Sequence, residues 1–461
     1  MLAAVRHELE KRFDSRMFTY TQLRGMFIPL LLDQLFIFII GLLSSALVSS
    51  SGEGSMTAAN NANVINSLAY AIFSAIALGA GIVIARSKGA GDDRGISRAI
   101  AQSCIICTLA GCALGLPICI FGVEIVKFMY PGVDHSIALK SGEYLRYMGL
   151  SLLPYSLFSA IFNTFRSMGD TRSSLILTVI INSVHLVCSF VFINVMEMGV
   201  QGAGLSFLVA RIVGMAFAVG WLVRPAMSPR VRLKDFLSFD HRIFGDILRL
   251  GIPLSVEQVL FQGGMLLVQM YIATLPTYQT DAHGIANSIF MLLYSFSYAM
   301  TGLAATVCGQ TIGAKDIKLT RFYAKNLVWV GRFIMLGAII VIGPLLPLVL
   351  KLFSPMTESL PYIWGAVAIG ALPMPLIWCD AFVLTTVTRS AGDSVFATVI
   401  SLTALLLGRM AIGYVLTIAL GIGIWGVWLG QLFEWVFRLL VFRRRFKGAA
   451  WIKVNMAEGT V

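Results

Sequence analysis

The sequence predicts an all-α polytopic membrane protein with twelve transmembrane helices in two six-helix lobes. Of its 461 residues, 57% are hydrophobic and only 13% are charged, unlike a soluble globular domain. Apolar runs of the roughly 20 residues that a helix needs to cross a bilayer recur along the whole chain. Several short blocks also repeat at a fixed offset. We therefore expect lipid, rather than water, to surround most of the chain.

Twelve stretches have the length and hydropathy of membrane spans. They cover residues 25–49, 62–86, 99–122, 142–165, 173–194, 200–223, 247–274, 284–310, 322–350, 360–388, 394–418 and 422–442. Residues 1–24 lack the apolar core and cleavage site of a signal peptide, so we expect them to remain at the cytoplasmic surface. A basic linker, 224–246, separates the amino-terminal lobe (25–223) from the carboxyl-terminal lobe (247–442). A basic tail, 443–461, follows.

The net charge of +12 is explained by topology. Basic residues collect in alternate loops, for example around Arg86 and Lys88 after span two and around Lys315 after span eight. The opposite loops, 49–63 and 274–284, contain no Lys or Arg. By the positive-inside rule both termini are cytoplasmic. Nucleic-acid binding is not expected, because the basic residues form no separate patch.

The chain offers no pattern that is typical of an enzyme or of a cofactor site. All seven cysteines fall within spans, and Cys104 and Cys107 are one helical turn apart, where packing is favoured over redox or metal chemistry. The H-E-x-x-H, G-x-S-x-G and Walker motifs are absent from the sequence. We expect no catalysis, no cofactor and no metal, other than a sodium ion if sodium is the coupling ion.

An internal repeat relates the two halves of the chain in one register. Ile28-Pro29-Leu30 with Asp33-Gln34 matches Ile252-Pro253-Leu254 with Glu257-Gln258. Further pairs at the same offset are 89–92 with 313–316 and 199–202 with 423–426, and the pair 166–170 with 389–393 is out of step by a single position. Each half holds an even number of spans, so the repeat is parallel and favours a secondary transporter that binds substrate between its halves.

Asp33 and Glu257 are the main candidates for carrying a proton or a cation. An ionised side chain inside hydrocarbon costs at least about 2.5 kcal/mol on insertion scales. Each acid follows a proline by four residues, and proline frees a backbone carbonyl one turn back. We expect the two acids to face one another across the cleft. The alternative for each is a structural hydrogen bond to a neighbouring helix.

Five other ionisable side chains are placed within the spans. Asp380 has no acidic counterpart in the repeat, and its role as a coupling group or a structural group stays open. Arg409 and Glu434 lie on adjacent helices, which favours a structural ion pair. Arg211 is also assigned to structure. His185, the counterpart of Arg409, is a candidate proton relay or a hydrogen-bonded packing residue.

Neutral polar groups are the candidates for a substrate cavity. These are Gln34, Gln258, Gln262, Asn66 and Asn287. They could equally hold helices together by hydrogen bonds. Many Met and Phe residues suit a pliable apolar pocket for varied ligands.

These blocks together resemble the MATE (multidrug and toxic compound extrusion) transporters over almost the whole chain. The matching motifs are Arg-Ser-x-Gly-Asp at 166–170 and 389–393, Gly-Ala-x-Asp at 89–92 and 313–316, and Gly-Ile-Pro at 251–253. The closest likeness is to a bacterial branch with Pro-x-x-x-acid-Gln in span one, Ile-Pro-x-x-Glu in span seven and acid-Trp in span twelve. Here the last pair is Glu434-Trp435.

The resemblance implies a MATE-like pair of lobes, in the inner membrane of a bacterium, that exchanges protons or sodium ions for organic cations or amphiphilic compounds. We expect the protein to be a monomer. Besides the transported compound, the expected partner is membrane lipid. The chain departs from the family at Ser44, where many members carry an acid, at His185 and Ser189, where they carry Asn and Asp, and at Gln262, where others place a glutamate. The alternative function is a flippase for a lipid-linked or amphiphilic precursor, which is expected to need several cationic residues.

Overall fold

The computed structural model describes residues 10, 13–49, 55–132, 134–225, 227–353 and 355–453. Eleven of its helices are long and apolar enough to span a membrane, and one bent pair supplies a twelfth span. The spanning helices are α1 Tyr20–Ser49, α2 Ser55–Gly89, α3 Asp93–Ile120, α4 His135–Ser167, α5 Thr171–Phe190, α6 Gly199–Leu222, α7 His241–Ile272, α8 Thr277–Gly313, α9 Ile317–Phe353, α10a Leu360–Ala371, α10b Met374–Ser390, α11 Ser394–Ala404 and α12 Ile424–Lys447. The π-helical segments Leu405–Ile412 and Val415–Ala419 extend the span of α11 to Ala419. The predicted fold class is confirmed.

Two predicted elements differ in detail. Span ten is bent by 53° between α10a and α10b, because Pro373 and Pro375 cannot continue the hydrogen bonding of the preceding turn. The predicted linker, 224–246, contains the short helix Leu233–Leu237, and α7 begins inside it, at His241. A second short helix, Gly122–Met129, lies between α3 and α4.

The described chain divides into two compact units, and the divisions fall inside α1 and α7. The N unit comprises Leu35–Val259, and the C unit comprises the described residues up to Gln34 and from Leu260 onward. In the N unit, α7 packs closely on α2: a Cβ atom on Gly79 would lie 2.8 Å from the Gly251 backbone nitrogen. Ser255 Oγ also donates to the Ile72 carbonyl, at 2.9 Å.

The start of α1 is held within the C unit by apolar packing and by one tyrosine. Leu23, Met26 and Leu30 belong to the same buried cluster as α8 and α9. Before them, the hydroxyl of the fully buried Tyr323 donates to the Phe18 carbonyl at 2.9 Å and accepts from the Phe18 N–H at 3.0 Å. Buried polar atoms of both segments are thereby satisfied.

Two of the repeated blocks are turns followed by helix caps. Gly91 and its counterpart Lys315 both adopt left-handed backbone, with φ of 70° and 59°. After each turn an aspartate caps the next helix: the Gly95 N–H donates to Asp92 Oδ1 and the Leu319 N–H donates to Asp316 Oδ1, both at 2.8 Å. These blocks are therefore repeated because they begin α3 and α9.

The block at 199–202 and 423–426 has a similar explanation. α5 and α11 both end in π-helical turns, Val191–Val195 and Val415–Ala419, which occupy equivalent positions in the repeat. A Cβ atom on Gly202 would lie 2.9 Å from the Phe192 carbonyl oxygen, and one on Gly426 would lie 2.6 Å from the Thr417 nitrogen. Only glycine lets the next helix start this close to the π turn.

Candidate functional site

The two acids predicted to carry a cation are both buried. Asp33 in α1 is 1% exposed and Glu257 in α7 is 7% exposed. The Gln34 amide donates to Asp33 Oδ2 at 3.0 Å. Pro29 and Pro253 lie inside their helices, one turn before the acids, and leave a backbone carbonyl without its usual helical donor. Asp33 belongs to the C unit and Glu257 to the N unit, and their facing each other stays a prediction.

The five amide candidates are divided between the two units. Gln34, Gln262 and Asn287 belong to the C unit, whereas Asn66 and Gln258 belong to the N unit. Gln258 and Asn287 are exposed, and the others are half-buried. Asn66 Oδ1 is buried and has no hydrogen-bond partner among the described residues. A role for these amides in a substrate cavity stays a prediction.

Arg409 and Glu434 form an ion pair in the C unit. Arg409 Nε donates to Glu434 Oε2, and Arg438 Nη2 lies 2.9 Å from Glu434 Oε1. Arg438 also donates to Ser401 Oγ at 3.1 Å, which ties α12 to α11. The fully buried Glu434 thus has an arginine at each oxygen.

The sequence-based set of intramembrane charges was incomplete, because it left out Arg332 and Arg438. Both lie inside predicted spans, and a residue-by-residue check of spans nine and twelve would have found them. Arg332 Nε donates to Asp380 Oδ2 at 3.0 Å, and Arg332 Nη2 binds the same oxygen. Asp380, which lacks an acidic counterpart, therefore has a basic partner on α9.

The N unit holds His185 and Arg211 close to one aromatic ring. The ring centroids of His185 and Phe207 are 3.9 Å apart, and the Arg211 guanidinium carbon lies 5.4 Å from the Phe207 centroid. His185 Nδ1 is 3.4 Å from Ser44 Oγ. Ser189 Oγ, at another departure from the family pattern, is 2.8 Å from Ser206 Oγ. Hydroxyl groups thus lie next to His185 and between α5 and α6.

The Arg-Ser-x-Gly-Asp motifs are structural as well. Gly169 and Gly392 have φ of 82° and 94°, in the left-handed region that favours glycine. Asp170 accepts from Arg224 at 3.2 Å, and Asp393 accepts from Arg445 at 2.7 Å. Each loop is thereby joined to a basic residue at the end of α6 or α12.

Comparison with known proteins decides the family. A model of the MatE family matches residues 29–191 and 253–415, which together are more than half of the chain. The chain belongs to the MatE family. The two matched segments begin at Pro29 and Pro253, so the internal repeat is confirmed in its predicted register. The chain is accordingly an integral membrane protein of a transporter family.

Individual relatives of this MatE protein are distant but cover nearly the whole chain. It is 23% identical to the uncharacterized transporter YisQ of Bacillus subtilis, over 93% of this chain and 94% of the relative. It is 22% identical to the probable multidrug resistance protein NorM of Thermotoga maritima, over 90% of this chain and 89% of the relative. A crystal structure of MATE in complex with MaD3S has a TM-score of 0.84 at 20% identity, covering 92% of this chain and 96% of that one.

Proposed function

We propose that this protein is a cation-coupled antiporter that exports amphiphilic drugs or metabolites, organic cations included, by alternating access. Protons or sodium ions entering the cell would drive export across the inner membrane of a bacterium, with both termini of the protein in the cytoplasm. Family membership supports transport, and the name of the Thermotoga maritima relative supports multidrug efflux.

The observation that carries coupling is the matched burial of Asp33 and Glu257. Both acids are less than a tenth exposed, and both follow a helix proline by one turn. A buried carboxyl group is stable when it is neutral or binds a cation. Whether it holds a proton or a cation therefore depends on its surroundings.

Asp380 and Glu434, the two other buried acids that were candidates, are less suited to this role. Glu434 is bound by two arginines, and Asp380 is bound by Arg332. The negative charge of an acid that an arginine already binds is compensated by the protein itself, which leaves less need for a coupling ion. We therefore assign Asp380 and Glu434 to structure, and Asp33 and Glu257 to coupling.

The experiment is uptake of a fluorescent organic cation into inverted membrane vesicles, driven separately by a proton gradient and by a sodium gradient. We expect Asp33→Asn and Glu257→Gln each to reduce uptake to the level of vesicles without the protein, under whichever gradient drives the wild type. Asp93→Asn and Glu143→Gln are matched controls, because both acids are exposed. Full uptake by the double variant Asp33→Asn with Glu257→Gln would refute the assignment.

A flippase for a lipid-linked precursor is the second candidate. It would need several buried cations free to bind phosphate, whereas Arg409 and Arg438 share Glu434, and Arg332 binds Asp380. Arg211 alone among the buried arginines named above has no acidic partner in the described part of the chain. Movement of a fluorescent lipid-linked phosphate across liposomes, in the absence of any uptake of organic cations, would favour the flippase.

A further inference from the structure

Arg211 of α6 is a buried cation without a buried anion. It is 7% exposed, and no carboxylate of the described residues lies within salt-bridge distance of its guanidinium. An uncompensated charge inside a bilayer is costly, so Arg211 is a candidate for a functional role.

The surrounding groups hold the guanidinium in one place. Arg211 Nη1 donates to Ser151 Oγ at 2.6 Å, while the Ser151 hydroxyl donates its own proton to the Met148 carbonyl at 2.7 Å. The guanidinium carbon lies 4.4 Å from the centroid of Tyr155 on one side. Phe207 contacts it as well, at 5.4 Å. The remaining N–H groups of Arg211 have no acceptor among the described residues, so they are available to a ligand.

A row of aromatic rings connects this arginine to a more exposed part of the N unit. Tyr155 stacks on Tyr70 with ring centroids 5.3 Å apart, and Tyr70 is 37% exposed. Asn66 lies one turn before Tyr70 on α2, and its Oδ1 atom is buried without a partner among the described residues. Flat ring faces, an oriented guanidinium and an unsatisfied amide therefore occur together in a single unit.

We propose that the N unit binds the carboxylate of an aromatic amphiphile at Arg211, with the rings of the ligand against the exposed ring of Tyr70. A carboxylate supplies the missing negative charge and accepts the unused N–H groups, and arginine binds it in a geometrically specific way. A ligand whose sole charge is positive is disfavoured by Arg211. The inference rests on the proposed function and specifies one class of its substrates, compounds that carry a carboxylate, zwitterions among them.

The C unit does not repeat this site. The counterpart of Arg211 is Trp435, and Arg409, Arg438 and Arg332 of the C unit are bound to Glu434 or Asp380. An anionic ligand therefore gains least from the C unit, where the positive charge is already compensated. Carboxylate recognition is accordingly assigned to the N unit alone.

The test is equilibrium binding of three probes of one shape to the purified full-length protein in nanodiscs: 2-naphthoate, 2-naphthamide and 2-naphthyl phosphate. We expect the wild type to bind 2-naphthoate at least about tenfold more tightly than the amide, as one charge-assisted contact implies. Arg211→Gln removes this preference, and Arg211→Lys retains part of it. Equal binding of acid and amide by the wild type would overturn the proposal, and preference for the phosphate would replace the carboxylate by a phosphate ligand.

Matched variants separate a lost site from a misfolded protein. Arg146→Gln changes an exposed arginine on α4 and should keep the preference for the acid. Ser151→Ala removes the hydroxyl that orients Arg211 while leaving the charge, so it should weaken 2-naphthoate binding and leave 2-naphthamide binding as it is. An unaltered preference in both Arg211→Gln and Ser151→Ala would also overturn the proposal. This binding needs no ion gradient, so its outcome is independent of the coupling experiment on Asp33 and Glu257. Either proposal can therefore fail while the other holds.

Discussion

The N unit and the C unit are built from one repeat, yet they differ in whether an arginine inside a span has an acidic partner. In the C unit, Glu434 is shared by Arg409 and Arg438, and Asp380 binds Arg332. In the N unit, Arg211 rests on Tyr155 and a serine hydroxyl with no described acid nearby. The same arrangement of helices can therefore support a compensated polar core or an uncompensated one.

The difference comes from a few substitutions at equivalent positions. Glu434-Trp435 in α12 corresponds to Ala210-Arg211 in α6, and Arg409 corresponds to His185. One repeat thus has an acid where the other has alanine, and an aromatic ring where the other has a cation. Arg211 has no basic counterpart in the C unit, so repeat symmetry does not explain its retention. A functional reason fits better than a packing reason.

The largest change in the free energy of unfolding is expected when Glu434 is removed. Glu434→Ala leaves Arg409 and Arg438 buried without compensation, and we expect it to lower the free energy of unfolding by about 3–5 kcal/mol. Arg211→Met removes a charge that has no partner, and we expect the free energy of unfolding to change by less than about 1 kcal/mol, since a lost cation–π contact offsets the gain. Denaturant unfolding in detergent, followed by tryptophan fluorescence, measures both.

Glu143→Gln is the control for that pair, because Glu143 is exposed and its loss leaves no buried charge. A large destabilisation by Arg211→Met together with a small one by Glu434→Ala would contradict this difference between the two units.

A feature that both units share should give an intermediate effect. Gly202→Ala places a Cβ atom 2.9 Å from the Phe192 carbonyl oxygen, a contact with backbone that cannot move freely. We expect the free energy of unfolding to fall by about 1–3 kcal/mol. Gly220→Ala on the same helix meets nothing within 4 Å and should be neutral or slightly stabilising. Equal effects of the two substitutions in denaturant unfolding would contradict the role of the π turn.

The smallest effect concerns the turn before α9. Lys315 has φ of 59°, where its counterpart in the N unit is Gly91. Lys315→Gly should raise the free energy of unfolding by about 0.5 kcal/mol, because it relieves left-handed backbone strain at some cost in chain entropy. Gly91→Ala, which has no contact within 4 Å, should lower it by about 1 kcal/mol. Changes of the same sign in a thermal or denaturant series would argue against the equivalence of the two turns.

Much of the fold was predictable because it depends on local chemistry. Hydropathy located the spans, since a bilayer demands long apolar helices with satisfied backbone. The register of the repeat was visible because turns and caps require particular residues, as at Gly91, Asp92 and Asp316. The prolines before Asp33 and Glu257 were equally plain. These features involve neighbours along the chain, so the sequence by itself determines them.

Apart from the Arg409–Glu434 pair, which the adjacent spans suggested, the partners of the charges were decided by the tertiary structure. Arg332 and Asp380 lie 48 residues apart, on α9 and α10b, and nothing local joins them. The isolation of Arg211 is likewise a statement about which helices surround it, as is its placement between Tyr155 and Phe207. The π turns at the ends of α5 and α11 depend on how closely the following helix approaches. The sequence shows which charged residues lie inside spans, where burial is costly. Which groups compensate those charges depends on how distant helices pack.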